Sequence, residues 1–334
     1  MITNLEKVYK IALPTPFPVG PVNIYLLKGR GLTLIDSGPN TEEAWEALVK
    51  GFDRIGASMK DLHRVIITHG HSDHYGLAAR IASKSGAEVW AHAADQKMVE
   101  DHPRELLRWV EFLRDFLPAT GLAQPVVQGI CDYIAARTGF AKAAPVSQAL
   151  RGGECLVLDG FTLEVIHSPG HTPGSICLFE PSLRVLFSGD HLLKEITPNP
   201  VLQAFPDFFG ERFQGLIHYR ESLSRLQGLP AKLVLPGHGE EFQDLKGRIQ
   251  EIDRHVNERK GRFLALLGKG EVTPLQAAEG LFPDLPRSQI LLAIFEVIGH
   301  LDLLREEGLV EVVEKEGLLL VNLLQNHRHL AERI

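Results

Sequence analysis

The amino-acid sequence predicts an α/β chain with a site at the edge of its sheets, and three observations lead there. Short apolar, β-type runs recur from residue 8 to about residue 236 and alternate with stretches of helical spacing. Several runs end abruptly in histidine or aspartate: Val65-Ile66-Ile67 leads to His69, Phe161 to Ile166 leads to His171, Val185 to Ser188 leads to Asp190, and Leu233-Val234-Leu235 leads to His238. Strand ends that bring such side chains to one place build a site at a sheet edge. The 334 residues also exceed the usual single core, so two domains, or one with a large insertion, are expected.

Composition narrows the function. With 44% hydrophobic and 23% charged residues the chain reads as an ordinary soluble globular protein. Thirty-five basic against 42 acidic side chains give a net charge of −7, which repels phosphate backbones and counts against nucleic acid as a partner. Cys131, Cys155 and Cys177 are odd in number and lie among apolar neighbours, so they read as small core residues, not a disulfide framework. Residues Met1 to Lys7 lack a basic start before a long apolar core, and no run approaches 18 apolar residues. A cytoplasmic chain with no membrane segment is the expectation.

In chain order, Val22 to Leu27 and Leu32 to Ile35 read as two strands separated by the tight break Lys28-Gly29-Arg30-Gly31. Asp36-Ser37-Gly38-Pro39 follows, and Asn40-Thr41 offers a cap for a helix from Glu42 to Phe52. Asp36 taken alone is a turn or capping residue.

The next strand empties into Thr68-His69-Gly70-His71-Ser72-Asp73-His74-Tyr75-Gly76, four metal-type side chains within six residues, followed by a helix from near Gly76 to Gly86. Imidazole and carboxylate hold borderline divalent ions such as zinc, and a strand-to-helix loop splays alternate side chains apart. His69 and His71 can converge on one ion while Asp73 and His74 point to another. This HxHxDH string, set directly after a buried-type strand, resembles the signature of the metallo-β-lactamase superfamily.

The later motifs extend the resemblance. Gly170-His171-Thr172-Pro173-Gly174-Ser175 resembles the third superfamily motif, which makes His171 the third ligand of the first metal; Pro and Gly on both sides fix a sharp loop. Asp190 is the natural bridging ligand, since a carboxylate has two oxygens and can span two cations. Pro236-Gly237-His238-Gly239 resembles the last motif, so His238 completes the second site with Asp73 and His74. The resemblance also gives Asp36 a supporting role, steadying the ligand loop without binding metal. His167 and His191 are set aside as non-ligands, and His92 and His102 as structural or solvated. The resemblance covers residues 8 to 245 and implies a four-layer αββα sandwich.

Between Glu88–His92 and Glu154–Leu158, residues 95–149 carry helical spacing, with Leu106, Leu107, Val110, Leu113, Phe116 and Leu117 on one face and Val126, Val127, Ile130, Tyr133 and Ile134 in a second stretch. This reads as a helical insertion, either a packing layer or a lid whose Trp109, Phe112 and Phe116 face an acyl or aryl group. Asp159-Gly160 marks a hairpin before Phe161. After Asp190, Ile196 to Pro200 and Phe205, Phe208, Phe209 and Phe213 would line a pocket.

The expected domains are a catalytic domain over residues 1–245 and a C-terminal domain over 246–334. The latter shows three helices, one opened by Thr273-Pro274, and then a hairpin of Leu309 to Val313 and Leu318 to Val321. Three helices and a wing resemble a winged-helix module, similar to a tail found on a lactamase-like endoribonuclease branch. Residues 240–334 carry 12 basic against 17 acidic side chains, which opposes phosphate binding and favours packing, homodimerisation or pocket closure.

The resemblance therefore implies a hydrolase with two divalent metal ions, zinc first and manganese or iron as alternatives. Asp73 and Asp190 are its catalytic carboxylates, and the ions activate a water for attack. The GHTPGS form, the acidic surface and the aromatic insertion favour a small ester or thioester substrate. The competing reading, argued by the tail, is a phosphodiesterase or endoribonuclease acting on single-stranded RNA. A diiron oxidoreductase of the same fold would have a glutamate where His71 stands and a flavin-binding domain, and neither is visible.

Overall fold

Strand β2, Val22–Lys28, is buried on both faces: Ile24 and Leu26 point to one side, Tyr25 and Leu27 to the other. A strand covered on two sides belongs inside a layered fold. The computed structural model describes residues 5–158, 160–203 and 212–324; Asp159 and Phe205, Phe208 and Phe209 lie outside the described residues. The chain resolves into two compact units, one of Met1–Leu106, Arg137–Pro198 and Ser222–Arg248, the other of Leu107–Ala136, Asn199–Glu221 and Ile249–Ile334.

The first unit holds two sheets. One runs β1 (Val8–Leu13), β2, β3 (Leu32–Ile35), β4 (Leu62–Ile66), β5 (Glu88–His92) and β6 (Gln148–Leu150); the other runs β11 (Leu233–Pro236), β10 (Val185–Gly189), β9 (Ile176–Glu180), β8 (Phe161–His167) and β7 (Cys155–Leu158). Between them lies a core in which Tyr25, Leu27, Ile35 and Ile66 meet Leu163, Val165, Leu178, Phe187 and Leu235. On the other face of the first sheet, Leu34, Val65 and Val89 pack with Leu48, Phe52 and Ile81. Leu48 and Phe52 come from the helix Glu42–Ile55, which Thr41 caps by accepting from Ala44 N and Gly56 ends in a left-handed turn.

Strands β3 to β6 are mutually parallel. In the second sheet β9 is antiparallel to β8 and β10, and β11 is parallel to β10. β8, β10 and β11 therefore run one way. Parallel pairs need crossovers, which the helices Glu42–Ile55 and Ala78–Ser85 supply for β3–β4 and β4–β5. Every strand before a predicted ligand loop thus runs in its sheet's common direction, and the loops gather at carboxyl ends.

The helix after the HxHxDH string differs from its expected start near Gly76. A one-turn helix, Ser72–Tyr75, comes first, and Ala78–Ser85 follows and ends at Gly86 in the left-handed region. Asp73 and His74 are therefore helical residues. Cys155 is exposed, against the expectation of a core residue. It lies on β7, the last strand of its sheet, where alternate side chains face out, as neighbouring Val157 also does at 82% exposure.

In the second unit, Val110, Leu113, Leu117, Val127, Cys131 and Ile134 of the inserted helices are buried. Leu107 is not: at 47% exposure it falls off the predicted face, one residue past buried Leu106 on the helix His102–Phe116. Cys131 Sγ contacts Val110 O at 3.8 Å, and Trp109 Nε1 donates to Leu202 O at 2.8 Å. Phe112 stacks on Phe116. The C-terminal part is a small helical and sheet region. Thr273 opens the helix Pro274–Leu281 with a reciprocal pair of hydrogen bonds to Gln276, and the helix Ile290–Glu306 is buried continuously from Ala293 to Leu304. β12 (Val310–Lys315) and β13 (Leu318–Leu323) form an antiparallel hairpin. Its turn, Glu316-Gly317, has positive φ at both residues, as a two-residue type I′ turn requires. Among the described residues no helix is long and apolar enough to cross a membrane.

Candidate metal centre

Each sequence-predicted ligand follows the carboxyl end of a strand, on a loop or, for Asp73 and His74, on the one-turn helix after it, and the structure brings all seven together. Their donor atoms form three overlapping groups, His69 with His71 and His171, His69 with His74 and Asp190, and Asp73 with His74 and His238; within each group they lie within 4.8 Å of one another. Asp190 sits between the outer groups. Its Oδ2 is 3.7 Å from His171 Nε2 and 3.6 Å from His238 Nε2, and its Oδ1 is 3.4 Å from His74 Nε2. Asp73 Oδ2 reaches His238 Nε2 at 3.4 Å.

The second-row partners aim the histidines. Asp36 accepts from Thr68 N at 2.7 Å and from Thr68 Oγ1 at 2.8 Å, while its Oδ2 also lies 2.8 Å from His74 Nδ1. With the Thr68 hydroxyl proton committed to Asp36, that oxygen accepts from His69 Nδ1, 3.1 Å away. His238 Nδ1 donates to Pro21 O at 2.8 Å. In all three rings Nδ1 carries a proton held by that partner, so Nε2 is the nitrogen that faces the cluster. Asp36 adopts φ +60°, a left-handed conformation unusual outside glycine. Its three contacts hold it there.

Electrostatics point the same way. Burial, then neighbouring His171, pushes His71 down to about 3, and burial with the His74 and His71 rings keeps His69 well below its ordinary value. Both present neutral lone pairs at pH 7. Burial would depress His74 and His238, but the carboxylates outweigh it, Asp190 first in both cases, and raise both. Burial would likewise raise Asp73 and Asp190, yet the surrounding histidines, His74 foremost, hold both below the ordinary carboxylate range.

A divalent cation fits this set. Nitrogen and carboxylate donors converge with like lone pairs facing one another, which only a shared cation or added protons can relieve. Buried His74 Nε2, His238 Nε2 and Asp190 Oδ1 have no hydrogen-bond partner among the described residues. Gly237 makes the approach feasible, since a Cβ there would stand 2.4 Å from Asp190 Oδ1 and 2.8 Å from His74 Cε1.

His167, set aside from the sequence, stacks on His92 at 3.9 Å between ring centroids and bonds Pro173 O through Nε2 at 2.9 Å. His191 is buried. His102 bonds the Tyr75 hydroxyl. Four supporting residues left no mark in the sequence. Asp95 is buried and accepts from Gly70 N, Gly174 N and Thr172 Oγ1, with burial raising its carboxyl. Ser37 donates from N and Oγ to His74 O at 2.6 and 3.0 Å. Tyr25 Oη donates to Pro236 O at 2.7 Å, and Asn23 Nδ2 to Pro236 O and Gly239 O at 3.1 and 2.9 Å, bracing the His238 loop. Only a periodic surplus of polar groups on a buried strand could have marked Asn23 and Tyr25.

The comparisons with known proteins agree with the site. Residues 17–238 match the family model described as the metallo-beta-lactamase superfamily. The chain is 32% identical over 305 residues to the probable metallo-hydrolase YqjP of Bacillus subtilis, covering 90% of this chain and 93% of that one. It is 29% identical over 167 residues to the hydroxyacylglutathione hydrolase GloC of Haemophilus influenzae, 49% of this chain and 63% of that protein. A metallo-beta-lactamase family protein of Thermus thermophilus, TTHA1429, superposes with a TM-score of 0.80 at 29% identity, over 96% of this chain and 99% of its own. Fold, ligand cluster and relatives converge: the chain belongs to the metallo-β-lactamase superfamily and is one of its metallo-hydrolases.

Proposed function

We propose that the chain is a dinuclear metal-dependent hydrolase of small acyl esters or thioesters. The observation that carries this reading is the place of Asp190, one carboxylate within 4 Å of nitrogens from both outer donor groups. His69, His71 and His171 would hold one ion, Asp73, His74 and His238 the other, and Asp190 would span the two. The nitrogen-rich donor set favours zinc, with manganese or iron as the alternatives.

Two divalent ions so held supply Lewis acidity, lowering the pKa of water from 15.7 toward about 7 and polarising the bond to be cut. The remaining chemistry belongs to the chain. Asp36 and Pro21 O hold three imidazole rings by their Nδ1 protons before any ligand arrives, so Nε2 is the atom each ring offers to a cation. Asp73 stays ionised and faces the cluster, placed to accept a hydrogen bond from the attacking water. No serine or cysteine nucleophile is required.

The substrate reading rests on the net charge of −7, which disfavours a polyanionic substrate, and on the similarity to a protein whose name makes an acylated glutathione its substrate. The test is hydrolysis by the zinc- or manganese-loaded protein of an acyl-thioester panel and of a short single-stranded RNA, each with a chelator control. Chelator-sensitive thioester turnover with intact RNA supports the reading. RNA cleavage with inert thioesters overturns it.

A further inference from the structure

Two ligand-bearing loops that are about a hundred residues apart in sequence meet on one buried side chain outside the ligand set. Asp95 stands just after β5 and is 4% exposed. Its Oδ2 accepts from Gly70 N at 2.6 Å and from Thr172 Oγ1 at 2.6 Å, and its Oδ1 accepts from Gly174 N at 2.8 Å. Gly70 lies between His69 and His71; Thr172 and Gly174 follow His171. These three histidines are the ligands of the first donor group, and His69 is shared with the middle one. Asp36 fastens Thr68 and His74 instead.

We propose that Asp95 is the positioning residue of the first metal site, the single carboxylate that sets the loop of His69 and His71 against the loop of His171. The inference rests on the metal-centre reading above. Three donors on two oxygens leave no orientation in which an asparagine satisfies all of them. Its amide nitrogen must face at least one N–H or O–H, which then stays buried and unpaired. The packing is equally restrictive. A Cβ on Gly174 would stand 2.5 Å from Asp95 Cγ, and one on Gly70 would stand 3.1 Å from the same atom. Neither glycine has the positive φ that would itself demand glycine. Both are small because the carboxylate needs the space.

Thr172 allows a mild test. Thr172→Val keeps the shape and removes one of three donors, whereas Thr172→Ser keeps the hydroxyl. Zn2+ alone, titrated calorimetrically into stripped full-length protein, reads each site, with melting curves of the stripped proteins as the folding control. The wild type should take two ions per chain. Asp95→Asn should weaken one of them by roughly 10–100-fold while leaving the other within about twofold. Thr172→Val should weaken the same ion by less, and Thr172→Ser should restore it. Asp36→Asn should instead weaken both ions, the second through His74 and the first through Thr68 and His69. Titrations of Asp95→Asn and Thr172→Val that superimpose on a two-ion wild type overturn this inference and leave the metal centre standing. A wild type that takes up no ion overturns both. If Asp95→Asn does not fold, the Thr172 pair decides.

Discussion

Asp36 Oδ2 lies 2.8 Å from His74 Nδ1, with both side chains buried and His74 wholly so. The carboxylate keeps the ring proton on Nδ1 and thereby turns Nε2 toward Asp190. Asp36→Asn loses that preference, because an amide can meet the imidazole as donor or acceptor. Such outer partners are worth about 10–100-fold in metal affinity. The expected outcome is a loss of that size in zinc affinity with the fold retained, measured by competition with a chromophoric chelator alongside far-ultraviolet circular dichroism.

Metal uptake should strengthen with pH. The carboxylates raise His74 and His238 above their ordinary value in the metal-free cluster, so protons occupy the nitrogens that cations must reach. Binding then releases protons. Apparent zinc affinity should climb as pH rises through the titration of these rings and level off above it. Calorimetry at pH 7 in buffers of different ionisation enthalpy should show net proton release, and a heat independent of buffer would contradict this.

Acid stability has a separate contributor in His92. Burial, then its stacked neighbour His167, lowers its pKa from 6.5 to about 4. A group depressed on folding opposes the folded state once protonated. Its contribution is therefore intact above about pH 6.5, declines as pH falls toward 4, and levels off below. The shift corresponds to about 3 kcal/mol at most. Because Ala94 N donates to His92 Nδ1 at 3.1 Å, His92→Asn keeps an acceptor there. Urea midpoints at pH 7 and pH 4.5 should differ less in this variant than in the wild type.

The second unit holds a buried ion pair. Arg212 grips Asp302 with two hydrogen bonds, and Asp302 is 1% exposed. Burial pushes the Asp302 carboxyl up and Arg212 pulls it back. Arg212→Leu leaves an acid stranded in an apolar setting, so it should cost about 3–5 kcal/mol, while Arg212→Leu with Asp302→Leu should recover much of that. Chemical denaturation of the two variants checks the order.

The ligands were legible because each follows an apolar run that only a buried strand explains, and because HxHxDH concentrates four donors within six residues. The sandwich's core was legible for the same reason. Asp95 was not, since its partners are backbone groups at Gly70 and Gly174, and no local pattern marks a residue whose function is to accept distant N–H groups. Leu107 shows a related limit: helical spacing names a face to within about one residue, and Leu106 took the buried place. Cys155 failed differently. Apolar neighbours suggested the core, but the position of β7 at the end of its sheet decides exposure, and strand order is invisible in local sequence. Periodicity also placed a helical insertion over residues 95–149 without revealing that 107–136 group with the C-terminal helices.

The central claim is a two-ion centre that performs the hydrolysis, and elemental analysis of bound metal tests it most directly. Protein repleted with zinc and freed of excess ion should hold two ions per chain, lose acyl-thioester hydrolysis when a chelator removes them, and hold fewer in His71→Ala and in Asp190→Ala. A chain that retains no ion, or that hydrolyses as fast after stripping as before, contradicts the account.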